Sequence, residues 1–591
     1  MAGGGSMMAL ESMSDQARMW RLVASHGWCA FLRWVHGGPA SALAPFNAVP
    51  TRLLIAPQDL HTADPTIAVD IYAGRFVFSG HFVEVGGQSP FEITPPSPDW
   101  ARALHGFGWL CHLRAAETAM ARSNARALID EWIRLVGRRH PIAWESGVVA
   151  RRVLSWLSQS PLLLENCDRD FYRRFLKSLA RQVRYLRKTV NETPDGMPRL
   201  LATMAVAAAS ISMSGQGRFA RHSLKKLDHE LTRQILPDGG HISRNPGAVL
   251  EVLADLLPVR QTFTSQGLPP SQAMMDAVDR MMPMIRFFRM GGGSFAHFNG
   301  MGATSGDLVA TVLAYDDARG TPPSDAAHSG YQRLVAEDTL VVMDTGHSPP
   351  PSLSQSAHAG CLSLEMSSGR NLLVVNCGVS GKGHETWRRV ARSTAAHSTL
   401  EFNSTSSCRF LAGDPFAHWL GPLIVSGPTV VPVMREEDDG GIHINASHNG
   451  YAAQHVRHER GIRLSRDGSV LEGRDKLEPV GTPPASDQDR YVVRFHLHPA
   501  VKASLVRGGG AVLVMCADGE AWEFTAPDCQ VSLEESIYLS DVHGHRHTEQ
   551  IVIHERLRHR ADVTWAFRRT ATAKPQRRRG SEGEGDVETL L

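Results

Sequence analysis

Near residue 330 the hydrophobic period of this chain changes, and that change restricts the fold more than any single motif does. From Ser97 to about Asp317, apolar residues recur at three- and four-residue steps, the mark of amphipathic helices. The stretch "FYRRFLKSLARQVRYLRKTV" puts Phe171, Phe175, Leu179, Val183 and Leu186 on one stripe, and "AVLEVLADLLPVRQTF" repeats the pattern up to Pro258, where a bend or an end is expected. The breaks, such as "NETPDGMPRL" and "LPDGGHISRNPG", are short, so successive helices are antiparallel neighbours. From about Gly330 the period falls to two. "DTLVVMDTG", "CLSLEMSSGRNLLVVNCG", "RYVVRFHLHP" and "AVLVMCADGEAWEFTA" alternate or run apolar between turn signals, which predicts an all-β region of hairpins that needs a second layer to bury its apolar face. "FVFSGHFVEVGG" predicts a small hairpin ahead of the helices.

A chain of 591 residues exceeds what one hydrophobic core serves. The expected division is an N-terminal segment over 1–96, a helical domain over 97–325, a β domain over 326–570 and a disordered tail over 571–591. In that tail Arg577 to Arg579 read as a solvated charge run. A formal net charge of +2 argues against a general nucleic-acid binder and leaves room for a local basic cleft and a polyanionic substrate. The 8 cysteines form no CxxC pair, so neither a zinc ribbon nor a disulfide framework is expected, and reduced thiols favour the cytoplasm. Glu11 and Asp15 interrupt the stretch a secretory signal would need. No run reaches the roughly 18 to 20 apolar residues of a membrane span.

The β region carries histidines at its strand ends: His358, His397, His448, His496 and His498. Arg494, His496 and His498 alternate along one strand and so share a face, either as a polar platform beside a cleft or as an ordinary solvent face of a sheet. In "RSTAAHSTLEF", Arg392 and His397 stand where a strand begins. No HExxH, no GxSxG elbow and no phosphate-binding glycine loop with its Lys-Ser/Thr pair occurs. Asp238 and Glu251 are candidates for a two-carboxylate glycosidase, with a separation the sequence does not give.

The blocks "AHAGCLSLEMSSGRNLLVVNCG", "WRRVARSTAAHSTLEF", "HNGY" and "RFHLHP", with the helical loop "LPDGGHISRNPG", resemble the heparinase II/III-like polysaccharide lyases. The resemblance implies an incomplete α/α toroid followed by a C-terminal antiparallel β-sandwich, and β-elimination on an anionic, uronate-containing polysaccharide. Elimination needs donors that neutralise the uronate and a base and an acid beside the reacting atoms. By resemblance His241, Asn245 and His397 are expected catalytic residues, and His297, with Tyr315 as the alternative, is the expected catalytic stand-in for a tyrosine that the chain lacks. Arg392, Asn299, Arg494 and His496 are expected to bind substrate. His358, Asn376 and His397 fall on positions that hold a divalent metal such as zinc in some members, although no cofactor is expected to be required. The chain also departs from the pattern: Ser356 and Gly360 replace a histidine and an aspartate, Asn376 replaces an acidic ligand, and Phe295 lies where a proton-transferring tyrosine is expected. A catalytically altered glycan-binding or envelope-biogenesis protein is therefore the alternative. The resemblance implies the periplasm; the absent leader favours the cytoplasm.

Overall fold

The computed structural model describes residues 17, 19–32, 35, 50–137, 140–315, 320–380, 385–411, 417–481 and 489–572. The expected disordered tail lies outside them from 573 onward; before it, the last strand runs to Ala571. Helix α1 covers the helical residues at 17, 19–32 and 35. The following helices are α2 (Pro65–Tyr72), α3 (Pro98–Gly106), α4 (Leu110–Ala115), α5 (Ala119–Leu135), α6 (Ser146–Ser158), α7 (Ser160–Leu164), α8 (Arg169–Thr189), α9 (Met197–Ser212), α10 (Ala220–Gln234), α11 (Pro246–Ser265), α12 (Gln272–Phe288) and α13 (Gly306–Leu313). Helix starts are fixed by side chains that accept an otherwise unpaired backbone N–H, including Asp64, Ser97, Thr118, Asp168, Asn245, Ser271 and Ser305. Helices α6, α9 and α11 are buried along most of their length, and α6 packs on α9, which packs on α11. Helices α8 and α10 bury one stripe each; on α8 it comprises the anticipated Phe171, Phe175, Leu179, Val183 and Leu186. This is the α/α toroid.

Two features differ from the sequence expectation. Helix α11 passes through Pro258 and continues to Ser265, because the ring is buried among core residues that hold the helix together despite the missing N–H. The hairpin of β1 (Arg75–Phe78) and β2 (His81–Glu84) forms as expected, but Leu60, Ala68, Ile71, Phe76, Val85 and Phe91 share one core with the helices, so the stretch over 60–91 packs as part of the helical domain.

Beside a small two-stranded sheet of β9 (Arg409–Phe410) and β10 (Ile424–Ser426), the β domain has two large antiparallel sheets. One contains β3 (Asp325–Ala326), β4 (Tyr331–Ala336), β5 (Thr339–Asp344), β6 (Leu364–Ser368), β7 (Asn371–Val375), β15 (Arg490–Leu497), β19 (Val531–Tyr538) and β20 (Arg546–Arg556), ordered β19-β20-β15-β7-β6-β5-β4-β3, with β8 (Leu400–Phe402) paired to β15. The other contains β11 (Val433–Asp438), β12 (Gly441–His448), β13 (Val456–Ser465), β14 (Val470–Pro479), β16 (Lys502–Val506), β17 (Ala511–Met515), β18 (Ala521–Thr525) and β21 (Asp562–Ala571), ordered β11-β12-β13-β14-β21-β18-β17-β16. The first sheet is the middle layer of the molecule. On β5, Leu340 and Val342 join the helical core while Val341 and Met343 join the core between the sheets, which explains why this strand reads as an unbroken apolar run.

Charged groups also tie the sandwich together. Arg460 of β13 binds both oxygens of Asp475 on β14 at 2.8 and 2.9 Å and donates to the carbonyls of Leu362 and Ser398. His458 Nε2 and Trp565 Nε1 also reach Asp475, at 2.7 and 2.8 Å. Burial pushes the Asp475 carboxyl up, and Arg460 and His458 more than reverse this, holding it well below the usual carboxylate range. Gly473 makes room for the arrangement, since a Cβ there would lie 2.1 Å from the Trp565 ring.

Candidate functional site

Between toroid and middle sheet the polar residues singled out in the sequence gather into one buried network. Glu365 points from β6 to the toroid side of the sheet, opposite Leu364 and Met366, which face the sandwich core. Its Oε1 accepts the backbone N–H of His297 at 3.0 Å and of Asn376 at 2.9 Å, and lies 3.2 Å from His297 Nδ1. On the other side of that imidazole, Tyr538 Oη is 3.2 Å from Nε2. With Nδ1–H donated to Glu365, Nε2 accepts the phenolic proton, so Tyr538, His297 and Glu365 form a proton-handling row. Burial raises the Tyr538 phenol above its ordinary value, and Glu365 adds to this.

The network continues through Asn376, whose Oδ1 accepts the Ser398 N–H at 2.9 Å, to the neighbouring His397. His397 donates Nδ1–H to the Ser393 carbonyl at 2.7 Å, and its Nε2 lies 3.0 Å from His358 Nδ1. The His358 backbone N–H donates to Asn299 Oδ1 at 3.2 Å, and Asn299 Nδ2 donates to Tyr331 Oη at 2.8 Å and Asp344 Oδ2 at 3.1 Å. Asp344 pairs with Arg244, whose remaining N–H groups reach the carbonyls of Ser329, Gly330, Gly346 and His347. His297, Asn299, His358, Asn376 and His397 are therefore brought together, as members of one hydrogen-bonded seam.

The other expected residues sit apart from it or are otherwise engaged. His241 is buried with Nδ1 2.7 Å from Ser243 Oγ and Nε2 3.0 Å from Gln234 Oε1. Burial lowers its pKa to about 4, and that of His397 likewise to about 4. Asn245 caps α11, its Oδ1 accepting the Gly247 N–H at 2.8 Å. Arg392 does not reach a cleft rim: it is buried, and its guanidinium donates to the carbonyls of Ser354, Ala357 and Pro422 while stacking on Phe410. Arg494 pairs with Glu401 at 3.2 Å and Glu534 at 3.8 Å. His496 is buried against Ser536 Oγ at 2.7 Å and the Ala395 carbonyl at 3.0 Å, so the alternating face of β15 is covered rather than exposed. Of the two carboxylates considered for a glycosidase, Asp238 holds the N–H groups of Gly240 and Ser329, whereas Glu251 faces Arg151 and His61 inside the toroid.

The implied metal at His358, Asn376 and His397 meets a poor donor set. The Asn376 carbonyl oxygen is taken by Ser398, and no carboxylate joins the two imidazoles; among the described residues the one compact group of three His, Cys, Asp or Glu ligand atoms is Cys516, Asp518 and Glu520, in the turn between β17 and β18. His358 Nε2 is buried without a hydrogen-bond partner among the described residues, but a lone imidazole nitrogen does not complete the set.

At the Tyr538 end the seam opens on a cavity of about 780 Å³ between α13, the loop after α12 and the ends of β7, β15 and β19. Arg289, Arg370 and His498 line it, with Ser294, Ser540 and Asp541. Asp541 lies 3.5 Å from Arg546, while Arg289 and Arg370 have no carboxylate partner among the described residues. His498 stacks edge-on against Tyr538, and burial, aided by His297, lowers its pKa to about 4. Tyr538, Glu365, Arg244 and Asp344 were not found from the sequence. Glu365 alone left a trace there, as a carboxylate inside the buried strand "LSLEM".

Residues 318–566 match the family of heparinase II/III-like C-terminal domains. FtsZ-localized protein C of Caulobacter vibrioides is 30% identical over 530 residues, covering 87% of this chain and 91% of that protein. The fold is similar to the crystal structure of heparinase III (TM-score 0.68, 14% identity, 93% of this chain and 89% of that one). It is also similar to a mutant heparan sulfate lyase of Pedobacter heparinus (TM-score 0.58, 14% identity, 94% and 89%).

Proposed function

This chain belongs to the heparinase II/III-like family, and from that premise we propose that it is a catalytically altered member that binds an anionic, uronate-containing glycan in the cavity at the toroid–sheet seam. The observation that carries this reading is the pair Arg289 and Arg370: two cations facing one cavity without carboxylate partners among the described residues favour a polyanion. The state of the expected catalysts favours binding without cleavage. His241 and His397 are neutral at pH 7 and engaged at both ring nitrogens, Arg392 is consumed by backbone carbonyls, and Ser356, Gly360 and Phe295 stand where the family pattern has proton-transferring or acidic side chains.

One observation supports the original expectation of β-elimination as a second reading. Tyr538, backed by His297 and Glu365, is a proton-handling group at the cavity wall, and it occupies a role the missing toroid tyrosine would fill. Arg289 and Arg370 would then neutralise the uronate while Tyr538 moves the proton. The likeness to FtsZ-localized protein C brings in a further partner, since that relative's name ties it to FtsZ.

The test is titration of the purified chain with heparan sulfate, alginate and polygalacturonate, with ultraviolet absorbance followed for a new C4–C5 double bond. Binding that weakens with salt, falls about tenfold in Arg289→Ala and Arg370→Ala, and leaves chain length unchanged supports the binding reading. Unsaturated product that disappears in Tyr538→Phe supports elimination instead. Failure of folded protein to bind any of the three polymers removes both glycan readings, and co-sedimentation with FtsZ filaments then tests the remaining partner.

A further inference from the structure

A second cavity, of about 400 Å³, lies in the toroid wall away from the seam, between the last turns of α8, the middle of α9 and the first turns of α10. Its rim carries Arg184, Arg187, Lys188, His222 and Lys226, and no carboxylate lines it among the described residues. Its floor is apolar, from Val190, Val206 and Phe219. Like charges crowded together cost free energy. The Arg187 guanidinium lies 3.8 Å from the Phe219 ring centroid, Arg218 approaches the same ring at 4.7 Å, and burial together with Arg184 and Arg218 lowers the Arg187 pKa. An anion seated here would relieve that repulsion.

An independent observation points the same way. Ser223 lines the cavity, is only 3% exposed, and its hydroxyl has no hydrogen-bond partner among the described residues. A buried hydroxyl is normally satisfied, and an unsatisfied one costs about 1–3 kcal/mol. It sits in the first turn of α10, where the helix dipole also favours negative charge.

We propose that this cavity binds an amphiphilic phosphate, a phosphate monoester carrying an apolar group, with the phosphate held by Arg187, Lys226 and the Ser223 hydroxyl and the apolar part on Phe219, Val190 and Val206. Cations with a hydroxyl donor match three phosphate oxygens, and the floor distinguishes such a ligand from inorganic phosphate. A soluble monoester and a lipid headgroup share this chemistry.

The experiment uses the full chain in calorimetric titrations with inorganic phosphate and phenyl phosphate, and in flotation with vesicles containing phosphatidic acid. The expected result is saturable binding of phenyl phosphate, tighter than inorganic phosphate. It should weaken roughly tenfold or more in Arg187→Ala and in Lys226→Ala, the size of a lost charge-assisted hydrogen bond. Ser223→Ala separates ligand binding from folding: affinity should fall several-fold while the thermal midpoint does not fall, because the hydroxyl bonds nothing among the described residues. Vesicle binding without phenyl phosphate binding, lost in the same variants, assigns the site to a lipid source. Absence of both, or binding unchanged in all three variants, overturns the proposal.

Discussion

Replacing Arg244 with methionine should loosen the joint between the two halves of the molecule. Arg244 enters from the loop before α11, is 7% exposed, and spends its guanidinium on Asp344 and on four carbonyls of the β domain. Gly330 and Gly346 leave room for it, since a Cβ on Gly346 would lie 2.3 Å from Nη2. Methionine keeps an unbranched apolar stem and removes every donor. Asp344, 2% exposed, would keep Asn299 and the Gly346 N–H but lose its counter-charge, and breaking one side of a buried ion pair costs about 3–5 kcal/mol. The three carbonyls held at 3.0 Å or less would add to that loss, and little comes back from the backbone, because Arg244 keeps its positive φ of 62° in either case. A loss of about 4 kcal/mol is therefore expected, a large share of the 5–15 kcal/mol that holds a typical domain. Urea unfolding followed by tryptophan fluorescence and by limited proteolysis would read it, with the two probes separating as the halves come apart. Asp344→Asn in the Arg244→Met background should cost far less than Asp344→Asn alone. A loss below about 1 kcal/mol with coincident probes would refute the reasoning.

Stability should also fall with acid in a defined window. His241 has a folded pKa of about 4 against 6.5 unfolded, so the unfolded chain takes up its proton first. Its contribution is complete above pH 6.5 and drains as pH falls toward 4, by up to about 3 kcal/mol, and His241→Gln should flatten the slope of unfolding free energy between pH 6.5 and 4.5. An unchanged slope would count against the buried neutral imidazole. Asp475→Asn should destabilise the sandwich by about 3 kcal/mol, since Arg460 loses its counter-charge deep in the protein, and chemical denaturation at pH 7 would show it. Tyr538→Phe should leave the melting temperature within a few degrees, because the hydroxyl contributes one neutral hydrogen bond to His297, while altering any proton transfer at the cavity.

The architecture was legible because period is a local property: a stripe on α8 or an apolar run on β5 is visible within ten to twenty residues. Pro258 misled because tertiary burial outweighs a local helix breaker. Five of the polar residues noted in the sequence meet in the seam, yet the groups that organise them were missed, for Glu365 is 68 residues from His297 and Tyr538 is 241. Arg392 illustrates the opposite error. An arginine at the head of a strand reads as a cation offered outward, but irregular backbone around Ser354, Ala357 and Pro422 has carbonyls without a ladder partner, and the guanidinium satisfies them.

The middle sheet has a mechanical consequence. Because strands such as β5 contribute alternate side chains to the cores above and below, neither neighbour can peel away without stripping one side of the same ribbon.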